Sequence, residues 1–295
     1  MAYRTDLAVE LLENLRGRDE LSGVSEREYE REGLHIHEAE VTTERAAQLL
    51  GKPCGRYLTL SLEALSRREE EAFPRSVRVL AALIETLLPP LDSAAPLLIA
   101  GLGSRSITPD AVGPRSADHV IATRHLISRS PEFFASWRPV SVLAPGVLGQ
   151  TGVETGEIVR GVLDHVRPRA VIAIDALAAG RLSRLVRTVQ LADTGIVPGS
   201  GVNNARAALD RQTLGVPVLS IGVPTVADGG SLAHEIAQQL DGAQCEALDD
   251  LSQPFIITTR DIDREVADIS RMIGYAVNMA LHPHLSVSDI DLYLS

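Results

Sequence analysis

The chain has few of the residues that mark the commonest functional classes. Only two cysteines, Cys54 and Cys245, occur in 295 residues. Neither lies in a CxxC pair, so there is no thiolate zinc motif and no disulfide framework. Lysine is scarcer still: of the 28 lysines and arginines, Lys52 is the only lysine, a bias that reads as genome composition ahead of function. No apolar run reaches the roughly 18–20 residues of a membrane span. The start, MAYRTDLAVE, lacks the basic opening and apolar stretch of a secretory signal, so the chain is expected to stay in the compartment where it is made. Excess positive charge is absent too. The formal net charge is −11, which argues against general nucleic-acid binding while saying little about fold. There is no G-x-S-x-G elbow and no HExxH. What remains is an ordinary globular composition, 45% hydrophobic and 23% charged, in a chain long enough for one large α/β domain or two small ones.

Hydrophobic periodicity gives the organisation. Residues 6–16 alternate like a short amphipathic helix, and the polar residues 17–32 read as a surface segment. GLHIHEAEV (33–41) alternates with period two, as a strand does. Residues 42–50 open with threonine and carry Glu44 nearby, a helix start. Residues 56–65 contain a strand, and 66–88 a helix that Pro74 breaks or begins. From residue 95 a grammar repeats: apolar strands at 95–103, 138–146, 169–175, 187–193 and 216–224, with helical spacing at 116–129, 155–166, 231–240 and 261–281, and a short strand at 255–259. Strands apolar throughout, separated by helices, predict an α/β fold of three layers: a largely parallel central sheet with helices on both faces. In such folds ligands gather at the carboxyl ends of the strands.

Two acids stand at such ends. In VIAIDALAAG (171–180) a buried strand runs into Asp175; in GLGSRSITPDAVGP (101–114) another runs into a glycine-rich turn and then Asp110. Each has a plain structural reading, Asp175 as the cap of a following helix and Asp110 as a turn residue after proline. Side by side in one cleft they cannot both ionise easily, and such a pair can activate water with one member and protonate with the other. GLGSRS is an incomplete GxGxxG, because residue 106 is serine, and lacks the GKS/T ending of a P-loop. The segment 191–206 offers Asp193, Thr194, Ser200, Asn203 and Asn204. With 144–157 and 222–230 it can build a groove for an extended peptide. Among the histidines, His125 reads as packed, His282 and His284 as exposed near a helix end, and His35 and His37 as neighbours on one strand face.

GLGSRSITPDAVGP, RPVSVLAPGVLGQTGVET, AVIAIDALAAG, ADTGIVPGSGV, TLGVPVLSIGVPTVAD and the N-terminal YRTDLAVE resemble, in order, the motifs of the germination proteases of spore-forming bacteria. The resemblance runs from about residue 3 to 229 and resumes over 255–282. It implies the fold of the hydrogenase maturation proteases and an atypical aspartic-type endopeptidase that degrades small acid-soluble spore proteins. The family's catalytic aspartates fall on Asp110 and Asp175, with no cofactor and no metal. Family members are made as precursors that cleave themselves after an acid and before an apolar residue. Thr5-Asp6-Leu7-Ala8-Val9-Glu10 has that pattern, so the cut is expected between Asp6 and Leu7. The acid before the cut needs a cationic partner. Arg105, Arg124, Arg181 and Arg184 are candidates, with Arg105, Arg181, Asp193, Ser200 and Asn203 as the expected substrate-binding set.

The implied organisation is a pro-segment of residues 1–6 and one peptidase domain over 7–295, with 7–94 as an N-terminal layer and 95–281 as core. The implied setting is the cytoplasm of the forespore and spore core. The implied state is a homo-oligomer, tetrameric in the family, with no nucleic-acid or membrane partner. Three departures stand out: a six-residue pro-segment, Gly180 where relatives carry arginine, and a short 228–255 stretch. Two other functions fit the same fold: a metal-sensing maturation peptidase, and a catalytically silent peptide-binding protein.

Overall fold

The computed structural model describes residues 5–15, 22–202, 205–230 and 255–295. The expected α/β fold is present. Nine strands among these residues form one sheet: β1 (Val24–Arg31), β2 (Leu34–Val41), β3 (Gly55–Ser61), β4 (Leu97–Gly101), β5 (Val140–Leu143), β6 (Ala170–Ala179), β7 (Thr188–Ala192), β8 (Val218–Asp228) and β9 (Ile256–Ile257). Their order is β1-β2-β3-β7-β8-β6-β4-β5, with β9 paired to β8 off that path. The strands β8, β6, β4 and β5 are parallel. From β8 outward through β7, β3, β2 and β1 every pairing is antiparallel.

Alternate residues of the parallel strands enter different cores. Leu97, Ile99, Ile172, Ile174, Leu219 and Ile221 face the larger cluster, which includes the helices Ala72–Leu87 and Ile262–Leu281. Leu98, Ala100, Val171, Ala173 and Val218 face the opposite layer, under the helix Thr155–Val166. Both faces are covered, which is why these strands are apolar throughout.

Several local expectations change. Val24–Arg31 is a strand, β1, with both faces largely exposed, so its charged sequence hid its regularity. The helix expected over 66–88 is Ala72–Leu87, with Pro74 in its first turn, where the missing N–H costs nothing. The spacing at 116–129 resolves into two short helices, Val112–Asp118 and Arg124–Arg129. His125 is exposed rather than packed. His282 is buried rather than exposed, its ring 4.8 Å from that of Trp137. His35 and His37 pair with Glu28 and Glu26 of β1. The helix expected at 231–240 lies outside the described residues.

Candidate active site

Asp175 sits inside β6, not at its end. The strand continues to Ala179, so no helix follows for Asp175 to cap. Its position is nonetheless a strand terminus, that of the neighbour: the last β4–β6 pair is Gly101 with Ile174. Asp175 is thus the first β6 residue beyond the end of β4, where an open α/β sheet leaves a crevice. Asp175 is buried, and its Oδ1 accepts from the Ala176 N–H at 2.9 Å.

The loop after β4 brings Asp110 to the same crevice. Gly103 has φ +106°, and a Cβ there would lie 2.1 Å from the Asp110 carbonyl oxygen. Only glycine lets the loop fold back this tightly. Asp110 closes a single helical turn, Thr108–Asp110, and its Oδ2 accepts from the Ser104 N–H at 2.8 Å. Gly113 sets the depth of the following helix: a Cβ on it would meet the Leu102 and Ile174 carbonyl oxygens at 2.2 and 2.3 Å. The glycines of GLGSRSITPDAVGP therefore shape backbone contacts that hold Asp110.

Asp110 and Asp175 line one cavity of about 580 Å³, together with Leu102, Pro109, Leu148, Thr155, Gly201, Arg206 and Thr225. Burial pushes the Asp175 carboxyl well above its ordinary value, and the nearby Asp110 charge pushes it the same way. Asp110 is also raised, by burial, against the pull of its Ser104 hydrogen bond. Unequal burial therefore favours the proton on Asp175 and the charge on Asp110, the division of labour that acid–base chemistry requires. Among the described residues no group of three or more His, Cys, Asp or Glu side chains is arranged to hold a metal.

The N-terminal segment lies in the crevice. The Asp6 N–H donates to the Ala178 carbonyl at 2.9 Å, and the Ala178 N–H donates to Asp6 Oδ2 at 2.9 Å. Ser200 Oγ donates to Asp6 Oδ1 at 2.6 Å. Gln190 clamps the next peptide from both sides: its Nε2 donates to the Asp6 carbonyl at 3.2 Å and its Oε1 accepts from the Ala8 N–H at 2.7 Å. Leu7 is fully buried against Leu177, Ala179, Leu185 and Ala227. Glu10 is fully buried as well, accepting from the Gly180 and Arg181 N–H groups at 2.7 and 3.1 Å. Sheet register explains why Gln190 reaches this place. Gln190 pairs with Gly222 on β8, and Gly222 pairs with Asp175 on β6. Three residues at one level share a sheet face, and the central one has no side chain to block it.

The residues expected to bind substrate are distributed as follows. Ser200 touches Asp6. Arg105 pairs with Asp118 on the surface. Arg181 pairs with Glu13, and Arg184 with Glu13 and Glu10. Asp193 accepts from the Arg56 N–H at 2.8 Å. Arg124 is exposed, and Asn203 lies outside the described residues. Gln190 and Lys52 are at the segment without having been expected there. Their signal was the sheet order, which composition and spacing do not carry.

A family model described as germination protease matches residues 5–241. The germination protease of Caldanaerobacter subterraneus subsp. tengcongensis is 38% identical, over 100% of this chain and 98% of its own length. That of Clostridium tetani is 35% identical, over 100% of both. That of Bacillus subtilis is 44% identical, over 79% of this chain and 65% of its own length. Among solved structures, a NiFe-hydrogenase maturation protease from Thermococcus kodakarensis covers 66% of this chain and 98% of its own, at 15% identity and a TM-score of 0.37.

Proposed function

Because the chain belongs to the germination protease family, it is a peptidase, and we propose that it is an aspartate-dyad endopeptidase made as a self-cleaving precursor. The observation that carries this reading is the shared cavity. Two carboxylates of unequal burial line it, and Asp6 lines it with them. Asp110, the ionised member, takes a proton from water as the water oxygen attacks the scissile carbonyl carbon. Asp175, the protonated member, donates to the carbonyl oxygen. The C–N bond then breaks, the nitrogen leaves with the proton taken from water, and Asp175 regains its own. Cutting requires the Asp6–Leu7 bond to come within reach of the dyad through one water.

On this reading residues 1–6 are the pro-segment and 7–295 the peptidase domain. The substrates are small acid-soluble spore proteins, the compartment is the cytoplasm of the forespore and spore core, and the working form is a homo-oligomer. Among the described residues no helix is long and apolar enough to cross a membrane.

The test is the intact mass of the purified chain before and after mild acid exposure, beside Asp110→Asn and Asp175→Asn. Loss of residues 1–6 in the native chain only is expected. An unchanged mass under every condition, or equal processing in the variants, rules the reading out.

A further inference from the structure

A second cavity, of about 410 Å³, adjoins the first, and Asp6 lines both. Its walls include Lys52, Gln190, Ser200 and Gly201. Gly201 approaches so closely that a Cβ on it would lie 2.2 Å from Asp6 Oδ2. Among the described residues Lys52 is the only cationic side chain on these walls, and it is the only lysine in the chain. The other acid on the walls, Asp210, caps a short helix, its Oδ1 accepting from the Thr213 N–H at 2.8 Å. We infer that this pocket is the subsite for the acidic side chain immediately before the cut bond, with Ser200 Oγ and the Ala178 N–H orienting the carboxylate and Lys52 discriminating acid from amide. The inference rests on the proposed cut between Asp6 and Leu7 and adds the residues that select for it.

The physical case is one of compensation. Ser200 Oγ and the Ala178 N–H can serve an amide oxygen as well as a carboxylate oxygen, so they orient without demanding charge. A half-buried ammonium does demand it: Lys52 loses part of its water at this site, which lowers its pKa, while the Asp6 carboxylate opposes that loss. An asparagine or glutamine in the same place leaves the ammonium without a counter-charge. An ammonium is also compact enough to enter a pocket where a planar guanidinium needs a wider slot. The arginines near the segment are occupied elsewhere, Arg181 and Arg184 on the acids of the helix Ala8–Leu15.

The test uses the full chain and two synthetic peptides built on its own TDLAVE sequence, one with Asp and one with Asn before Leu. Wild type is expected to prefer the Asp peptide in kcat/KM by about tenfold or more, the scale on which unpaired buried groups discriminate. Lys52→Met should bring that ratio to within about twofold by losing activity on the Asp peptide alone. Lys52→Arg should retain part of it. Lys52→Glu should cut a third peptide, with Lys before Leu, better than it cuts the Asp peptide, which no merely structural role for Lys52 predicts. Ser200→Ala, a smaller change, should lower the rate on both peptides with the ratio kept. An unchanged ratio in the folded Lys52 variants, or an equal fall on every peptide, overturns the inference and leaves the proposed function standing. A wild-type chain that cuts neither peptide nor itself removes both.

Discussion

A carboxylate cut off from water is a poor anion, and Asp175 is only 5% exposed. Its ordinary value is 3.8, and in the folded chain it lies well above that, first through burial and then through Asp110. The unfolded chain releases this proton earlier, so the folded state holds more protons across that interval and loses stability as pH rises through it. Asp175→Asn keeps the shape and removes the charge. The variant is expected to be at least as stable as wild type at neutral pH, with a flatter dependence of the urea midpoint between pH 4 and 7, and to lose activity by ~10²–10⁴-fold. A variant that loses stability and activity together would instead make Asp175 a structural group. Both aspartates can be singled out from the sequence, because each stands within or after an apolar run that has no use for an acid. Lys52 and Gln190 cannot. Gln190 meets Asp6 only because β7 and β8 lie beside β6, and Lys52, just before β3, shares a cavity with Asp6 because β3 in turn pairs with β7. Of the arginines near the motifs in sequence, Arg181 and Arg184 serve the helix Ala8–Leu15.

At the scale of the element, the helix Ala8–Leu15 is docked through its acids as much as through its apolar face. Glu10 is raised by burial, against hydrogen bonds from Gly180 and Arg181 and the charge of Arg184. Glu13 accepts from Arg184 Nη2 at 2.6 Å. Glu10→Ala would leave two backbone N–H groups without their acceptor, at a cost of about 2 kcal/mol. That cost falls on a terminal helix, so local opening should carry it. The expected result is faster hydrogen exchange and protease nicking over residues 5–15 with little change in the global midpoint. A cooperative loss of the whole fold would contradict this. The same helix was legible as a period in the sequence, while β1 was not. Strand alternation is visible only when one face is buried, and VSEREYER has charge on both faces of an edge strand. Charge of this kind protects an edge from pairing with another chain, at the expense of any pattern a reader can follow.

For the whole molecule, acid has two opposed effects. It relieves Asp175, Asp110 and Glu10, all of which hold their protons above the ordinary range. It burdens His282, which follows the long helix Ile262–Leu281 and packs on Trp137 with neither ring nitrogen hydrogen-bonded among the described residues. Burial, with His284 and Arg138 nearby, lowers His282 from 6.5 to about 4. Here the unfolded chain binds the proton first, so stability falls as pH drops from about 6.5 toward 4, by ~3 kcal/mol over that window. From the sequence His282 is expected in solvent, where burial does not act on it, because a histidine just past a helix end has no period to show that it turns inward. The two effects are separable by substitution. His282→Leu removes the ring's proton uptake and leaves the carboxylates in place. Its urea midpoint should hold or rise between pH 6.5 and 4, while the difference from wild type narrows or reverses in its favour toward acid. A difference that stays constant with pH would mean that His282 binds its proton equally well in the folded and the unfolded chain. A difference that changes as expected means that mild acid itself weakens the fold through the neutral His282, so the acid step used to test self-cleavage must be separated from partial unfolding before a change in mass is assigned to the dyad.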